Sequence, residues 1–407
     1  MTVLNRLPLH AAAAILALGL ATPVLAATPY TKTDSYKNPA VKAGSTVDLT
    51  NLMGHISVVA AGDGAFSLDS AIVAAASSDA DAQTLANKIK IEISPSGKDV
   101  SAVVHYPLDE YDHYFYARPD QGLNFGWSNT STDYEGQRVV ISNGSFGSGA
   151  NVHVDFTVHL PKGVHLRVDN KVGLIESSRV DAPQELKSGS GDIRATDDSD
   201  SFTAHTGSGD MTVTGQDGAV DLSTGSGDVE VSEQKHGSVQ AKSGSGDLKL
   251  TSLGGVVTAE TGSGDVIIKQ FSGSGLDVRT GSGDVTVDDA KGSLKARAGS
   301  GDIKVTDFTA GDAVDAHTGS GSIGIEGDLG AVVRLSADSG SGDIVIHTSK
   351  VPSLHIEATS DSGDVDVDLP GMQNVSARPH SVRADVNGAK GSADLEAGSG
   401  DVTFTKH

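Results

Sequence analysis

The sequence predicts an all-β protein: a two-sheet parallel β-solenoid (β-helix) with coils of about 18–21 residues, plus a small N-terminal β-rich cap containing one short helix. Three observations predict it. The tetrapeptide Gly-Ser-Gly-Asp recurs at a nearly fixed interval, ending at Asp192, Asp210, Asp228, Asp247, Asp265, Asp284, Asp302, Asp343 and Asp401, with the variants GSGS at Ser322 and DSGD at Asp364. Apolar residues alternate on either side of it, which is the period of a strand and not of a helix. Aromatic residues make up only 4% of the chain, which suits a thin core of small aliphatic side chains.

Successive intervals between these turns are 18, 18, 19, 18, 19, 18, 20, 21, 21 and 37 residues. Units of this size bury their apolar side only against their neighbours. After each turn comes an inward pair such as Met211/Val213, Val229/Val231, Leu248/Leu250, Val266/Ile268, Val365/Val367 or Val402/Phe404. Before each turn comes a second pair, such as Val220/Leu222 or Val257/Ala259, followed by a small residue: Thr224, Ser243, Thr261, Thr280, Ala298 or Thr318. Each coil therefore carries two short strands, and stacked coils pair them about 4.8 Å apart into two parallel sheets. Strands buried on one face alone explain alternation in place of continuous apolar runs.

The last interval is about twice the period, which predicts a degenerate coil near Arg383 in "ARPHSVRADVNG". Upstream, "VDNKVGLIE" places Gly173 at the aspartate position, so the array is read over 165–407. The turn glycines are expected at positive φ, and each aspartate is expected to accept N–H groups within its own turn. The coil at 391–407 shows no evident cap, which leaves an open sheet edge.

The chain opens on a segment with Arg6, an apolar run from Ala11 to Leu20 and Val24-Leu25-Ala26, read as a secretory signal peptide over 1–26. The polar stretch 27–44 reads as a flexible linker, and 45–164 as the N-terminal cap. Within the cap, 45–63 reads as strand, turn, strand. A helix is predicted over 79–88, because Ala82, Leu85, Ala86 and Ile89 fall on one face and Ser and Asp precede them. The alternating "KIKIEIS", "KDVSAVVHYP" and 149–173 read as strands. An insertion over 105–137 gathers Tyr111, Tyr114, Tyr116 and Trp127. These rings are ligand-binding candidates, a stacking platform for a glycan; the competing reading is that they pack against the first coils.

The aspartate row admits three readings. Asp192, Asp210, Asp228, Asp247, Asp265, Asp284, Asp302 and Asp343 cap turns; or they bind calcium, as in glycine-rich nonapeptide rolls; or they present a polar ridge to a partner. One carboxylate per coil is sparse for an ion that takes six to eight oxygens. The net charge of −23 disfavours nucleic acid and anionic lipid. With no cysteine, thiolate metal sites and cysteine nucleophiles are excluded. No catalytic residues, no resident cofactor and no membrane insertion after signal cleavage are expected.

The segments "TGSGDVTV" and "NLMGHISV" resemble the bacterial adhesins grouped as domain of unknown function 4097, over about residues 45–407. The resemblance implies an exported β-solenoid and an adhesin-like structural or binding role, with no catalytic residues to carry over. The expected function is thus an exported, non-enzymatic binding protein of the periplasm or cell surface, with a glycan or cell-surface protein as partner. A calcium-binding β-roll-like module and a carbohydrate-active β-helix enzyme are the alternatives.

Overall fold

The computed structural model describes residues 29–116, 129–143 and 149–407. The signal segment 1–26 lies outside them. The chain is a parallel β-solenoid. Strands preceding each GSGD turn stack on one face, as in Phe202↔Val220↔Val239↔Val257. Strands following it stack on the other, as in Met211↔Val229↔Leu248↔Val266. The inward pairs face each other across the core, with Val213, Val231, Leu250 and Ile268 fully buried.

The turn is built from three contacts that repeat along the stack, the third missing where Ala298 and Ala397 replace the hydroxyl residue. A Cβ on the second glycine would sit 1.8–2.2 Å from the carbonyl oxygen of its equivalent in the neighbouring coil, and on the first, 2.2–2.5 Å. None of the GSGD glycines has a positive φ. The expected left-handed turn is therefore wrong; glycine is required because stacked turns touch backbone to backbone. The small residue before the turn is a hydrogen-bond hub. Thr261 Oγ1 donates to Gly246 C=O (2.8 Å) and accepts from Gly264 N–H (3.3 Å), and Thr206, Thr224, Ser243, Thr280, Thr318, Ser339 and Ser360 do the same.

At the opposite corner a second register appears. Arg179, Asp197, Glu233, Ser252, Gln270, Asp289 and Asp307 have φ between 50° and 57°, with Gly215 at 72° in the same column. This left-handed residue swings each strand round the corner, at about 1–2 kcal/mol per non-glycine residue. The next residue points inward, and it is polar in some coils and apolar in others. Gln216 and Gln234 are buried and donate to Asp200 C=O and Gly218 C=O (both 2.8 Å). Buried Asp198 accepts from Val180 N–H (2.8 Å) and Gln184 Nε2 (3.1 Å), and its burial raises its pKa. There these side-chain bonds accompany isolated backbone bridges, Asp181↔Ser199↔Asp217↔His236, and not a continuous ladder. At Leu253, Phe271, Ala290 and Phe308 the backbone ladder continues from coil to coil. The strands Leu248–Thr261, Val266–Thr280, Val285–Ala298 and Ile303–Thr318 then run unbroken round the corner. The two faces are joined there into one wrapped sheet.

At both ends, sequence order and spatial order part company. The segments Thr46–Met53 and Ile56–Ala60 are a coil of the solenoid, and not part of a separate cap. They pair with His165–Val172 and Ile175–Ser178 on one side, and with Asp99–His105 and Asn151–Leu160 on the other. The stack thus starts before residue 165, and 61–164 is an insertion between two neighbouring coils. The helix Asp79–Lys88 packs Ala82, Leu85 and Ala86 inward, and Ser78 Oγ accepts from Asp81 N–H (3.2 Å). The expected linker over 27–44 contains a strand instead: Tyr30–Asn38 pairs antiparallel with Phe66–Ala75. Its alternation was hidden because only one edge, not an apolar face, holds it.

At the other end, the coil Gly391–Ala397 with Val402–Lys406 is wedged between the coil Arg334–Ser339 with Ile344–Lys350 and the coil Leu354–Ser360 with Val365–Asp368. The chain skips a rung, folds back as the antiparallel hairpin Met372–Arg378 and Ser381–Val386, and then fills the gap. Arg383 therefore lies in a capping strand and not in a degenerate coil. The doubled interval reflects that hairpin, and the 391–406 coil has no open edge. Coil 354–368 is outermost on the second face, which is why Val365 and Val367 are only half-buried. The register also moves the upstream assignment: Ile175 pairs with Ile193, so Leu174 and not Gly173 stands where later coils have aspartate.

Two outcomes follow from the turn. Gly264→Ala, which forces a Cβ to 2.1 Å from Gly246 C=O, is expected to cost about 3 kcal/mol in urea denaturation. Ala298 is buried and lacks the hub hydroxyl. Ala298→Thr is expected to add about 1 kcal/mol by supplying it; a lower urea midpoint for Ala298→Thr would refute the hub.

Candidate functional site

The aromatic candidates do not form a platform. Tyr114 and Tyr116 are buried, at 0% and 3% exposure, and Tyr111 is half-buried; Trp127 lies outside the described residues. Tyr114 packs edge-on against Tyr106 (5.6 Å between centroids) and Tyr111 (6.3 Å), and Tyr106 against Tyr134 (6.1 Å). Two of the hydroxyls are tied down, and that of Tyr114 is buried without a hydrogen-bond partner among the described residues. Tyr106 donates to Met53 C=O (3.0 Å) and Tyr134 to Val104 C=O (2.6 Å). Burial pushes the phenols of Tyr106, Tyr114 and Tyr134 well above their ordinary range. Large rings in a polar insertion pack against the first coils because that is where apolar surface is offered.

The aspartate row is a backbone ladder. Oδ1 of each aspartate accepts the N–H of its equivalent in the next coil, at 2.8–3.1 Å from Asp192–Asp210 to Asp284–Asp302. The acceptor therefore lies between coils and not within one turn. In space the row ends Asp343, Asp401, Asp364, joined at 2.9 and 2.8 Å. Ser322 fills one position: its N–H donates to Asp302 Oδ1 (2.7 Å). Each carboxylate from Asp192 to Asp302, and those of Asp343 and Asp401, thus receives an amide donor, which offsets the repulsion of stacked like charges. Among the described residues, no group of three His, Asp or Glu side chains is placed to hold a metal ion.

A different feature has the shape of a binding site. On the outer side of the first face, one column of outward positions becomes small over three successive coils: Gly275, Ser293 and Ala313. The result is a shallow trough of about 560 Å³. Val256, 49% exposed, stands at one end and Arg334 at the other, while Asp277, Lys295, Asp315 and Ser336 line its length. Asp277 Oδ2 pairs with Arg279 (2.9 Å) and Lys295 (4.0 Å), and Asp315 with Arg297 (2.9 Å). Arg334 is exposed; the carboxyl of Asp312 is held below its ordinary range by a hydrogen bond from Ser293, with help from the charge of Arg334. The lining thus carries two cations, Lys295 and Arg334, and two carboxylates, Asp277 and Asp315. Sequence inspection missed the trough because bulges between Ser272/Gly275 and Gly292/Leu294 shift the register. Only the aligned coils put the small residues in one column.

If the tyrosines are core, Tyr114→Ala should cost about 3–5 kcal/mol of stability. Unchanged urea denaturation would instead return them to the surface.

The sequence matches the family model described as Toastrack DUF4097 over residues 135–327 and 255–405. No curated protein is similar in sequence. Two crystal structures are similar over most of the chain. One is named a putative cell adhesion protein from Clostridium sporogenes ATCC 15579: 10% identity, 93% of this chain and 100% of that one, TM-score 0.22. The other is named a putative adhesin from Bacteroides fragilis NCTC 9343: 12% identity, 93% and 97% coverage, TM-score 0.21. The repeated turn, the parallel stack and the family match over most of the array agree, and the chain belongs to the Toastrack DUF4097 family.

Proposed function

We propose that this chain is an exported, adhesin-like binding protein without catalytic activity, and that its trough holds an acidic saccharide chain. The observation that carries the reading is the trough itself: a floor of Gly275, Ser293 and Ala313 beside charged walls, ending at the exposed Arg334. From Gly275 to Arg334 the trough crosses three rung spacings, about 14 Å, a length for a few sugar rings. The small floor admits a flat ring to the backbone, and the flanking polar groups match hydroxyls. Arg334, at one end of the trough, would meet an anionic group of the ligand by charge complementarity. Both trough carboxylates are held by arginines, which suits binding better than acid–base chemistry on a glycosidic bond. Export rests on the segment 1–26, and no cofactor enters this reading.

Gly275 offers a clean test, because a Cβ there meets nothing within 4 Å. Gly275→Trp is expected to fill the trough while leaving stability within about 0.5 kcal/mol. In calorimetry with polygalacturonate at low salt, the unaltered chain should bind, and Gly275→Trp and Arg334→Ala should each weaken binding at least tenfold. Neutral dextran should not bind. Equal binding by Gly275→Trp, or none by the unaltered chain, defeats the proposal.

A further inference from the structure

The interleaved coil 391–406 is a rung that the rest of the stack could take from elsewhere. Coils 334–350 and 354–368 are consecutive in sequence, joined by Val351-Pro352-Ser353, yet they sit one rung apart with a slot between them. The walls of the slot, and the hairpin that closes it, are complete by residue 386. Without 391–406, unpaired strand edges would face each other across it on both faces, an arrangement that invites another strand.

The slot is selective. Its occupant pairs with Arg334–Ser339 and Leu354–Ser360 on the first face, and with Ile344–Thr348 and Val365–Asp368 on the second. It must place Leu395, Val402 and Phe404 inside, all fully buried. It must also put a GSGD turn between two others: Asp401 N–H donates to Asp343 Oδ1 (2.9 Å), and Asp401 Oδ1 accepts from Asp364 N–H (2.8 Å). A segment meeting all these demands is the 391–406 of a second copy of this chain.

The tether of the coil is built to open. Asn387, Gly388 and Ala389 are three consecutive residues at φ 51°, 84° and 46°, two of them not glycine. The turn is closed by Ala389 N–H to Val386 C=O (3.0 Å); Ser353 Oγ donates to Asn387 C=O (2.7 Å) and accepts from Lys390 N–H (3.2 Å), and Asn387 Nδ2 donates to Val351 and Pro352 C=O (3.3 and 3.2 Å), so opening exchanges these few bonds for water. Asn387, Gly388 and Lys390 are exposed, so straightening the turn uncovers no core and releases its backbone strain.

We propose that 391–406 is an exchangeable rung by which two copies of this chain join, each filling the other's slot. Every contact of the coil is the same whether it comes from its own chain or a partner, so hinge geometry and concentration set the balance. Exchange seats Ser392 and Asp394 of one copy beside Arg334 and Ser336 of the other, at the end of the trough. Two troughs on one dimer would also raise avidity for a repeating ligand. The inference stands independently of what the trough binds.

The chain has no cysteine, so introduced thiols report placement directly. Ser336 and Asp394 are Cα partners. Chains carrying S336C alone and D394C alone, differently tagged and co-expressed, should yield a disulfide-linked heterodimer on oxidation. The same two proteins purified separately and then mixed should yield little, as should S336C co-expressed with Q373C on the outer hairpin. Gly388→Val, which disfavours the closed turn, should raise the dimer fraction of the cysteine-free chain at least tenfold by light scattering. If S336C and D394C link no better than the S336C and Q373C control, the exchange does not occur. An all-monomer chain at every concentration, with and without Gly388→Val, overturns it equally, and circular dichroism confirms that the variant is folded.

Discussion

The closeness of the stacked GSGD turns governs the rest of this molecule. Carbonyl oxygens of one rung lie where the next rung's glycine Cβ atoms would be, so the backbones meet without any intervening side chain. That contact fixes the rung spacing at the turn. The threonine or serine hub then bonds one rung to its neighbour, and each aspartate takes its neighbour's amide. Gly, Ser/Thr and Asp each answer a different demand of the same interface. The repetition follows because each rung meets the same interface above and below. The charge of the stacked aspartates is placed on amide donors.

The opposite corner is more permissive, and variation accumulates there. A left-handed residue recurs in every coil from Arg179 to Asp307, yet its identity ranges over Arg, Asp, Gly, Glu, Ser and Gln. The inward residue after it switches from Asp198, Gln216 and Gln234 to Leu253, Phe271 and Phe308, and with it the strands change from broken to continuous. The trough lies where strands run continuously through the corner. Its floor can be small because neither core packing nor the GSGD interface depends on those outward positions.

Both ends use one device against an open sheet. A coil near each end of the array is laid between two others, and antiparallel strands close the outside: Phe66–Ala75 and Lys90–Ser96 at one end, Ser381–Val386 with Met372–Arg378 at the other. Antiparallel strands can close a parallel stack because a hairpin needs only a short turn, whereas another parallel rung would need a further full coil. The 46–60 and 391–406 coils are thereby paired on both edges and add to stability from both sides.

The sequence by itself determined the fold class, the period, the inward pairs from Met211 to Ile346 and the helix over 79–88, because each is a local pattern: period two for a strand buried on one face, i, i+3, i+4 for the helix, and a turn that tolerates only glycine. Tertiary structure alone decided why the glycines are needed, since a clash between rungs 18 residues apart leaves no mark that separates it from a positive φ. It decided that Tyr114 and Tyr116 face inward, because burial depends on what the insertion packs against. It also decided the place of 46–60 and 391–406 in the stack and the alignment of Gly275, Ser293 and Ala313. All of these are properties of register between distant strands, and a strand's own residues specify which face is buried but not which neighbour lies alongside.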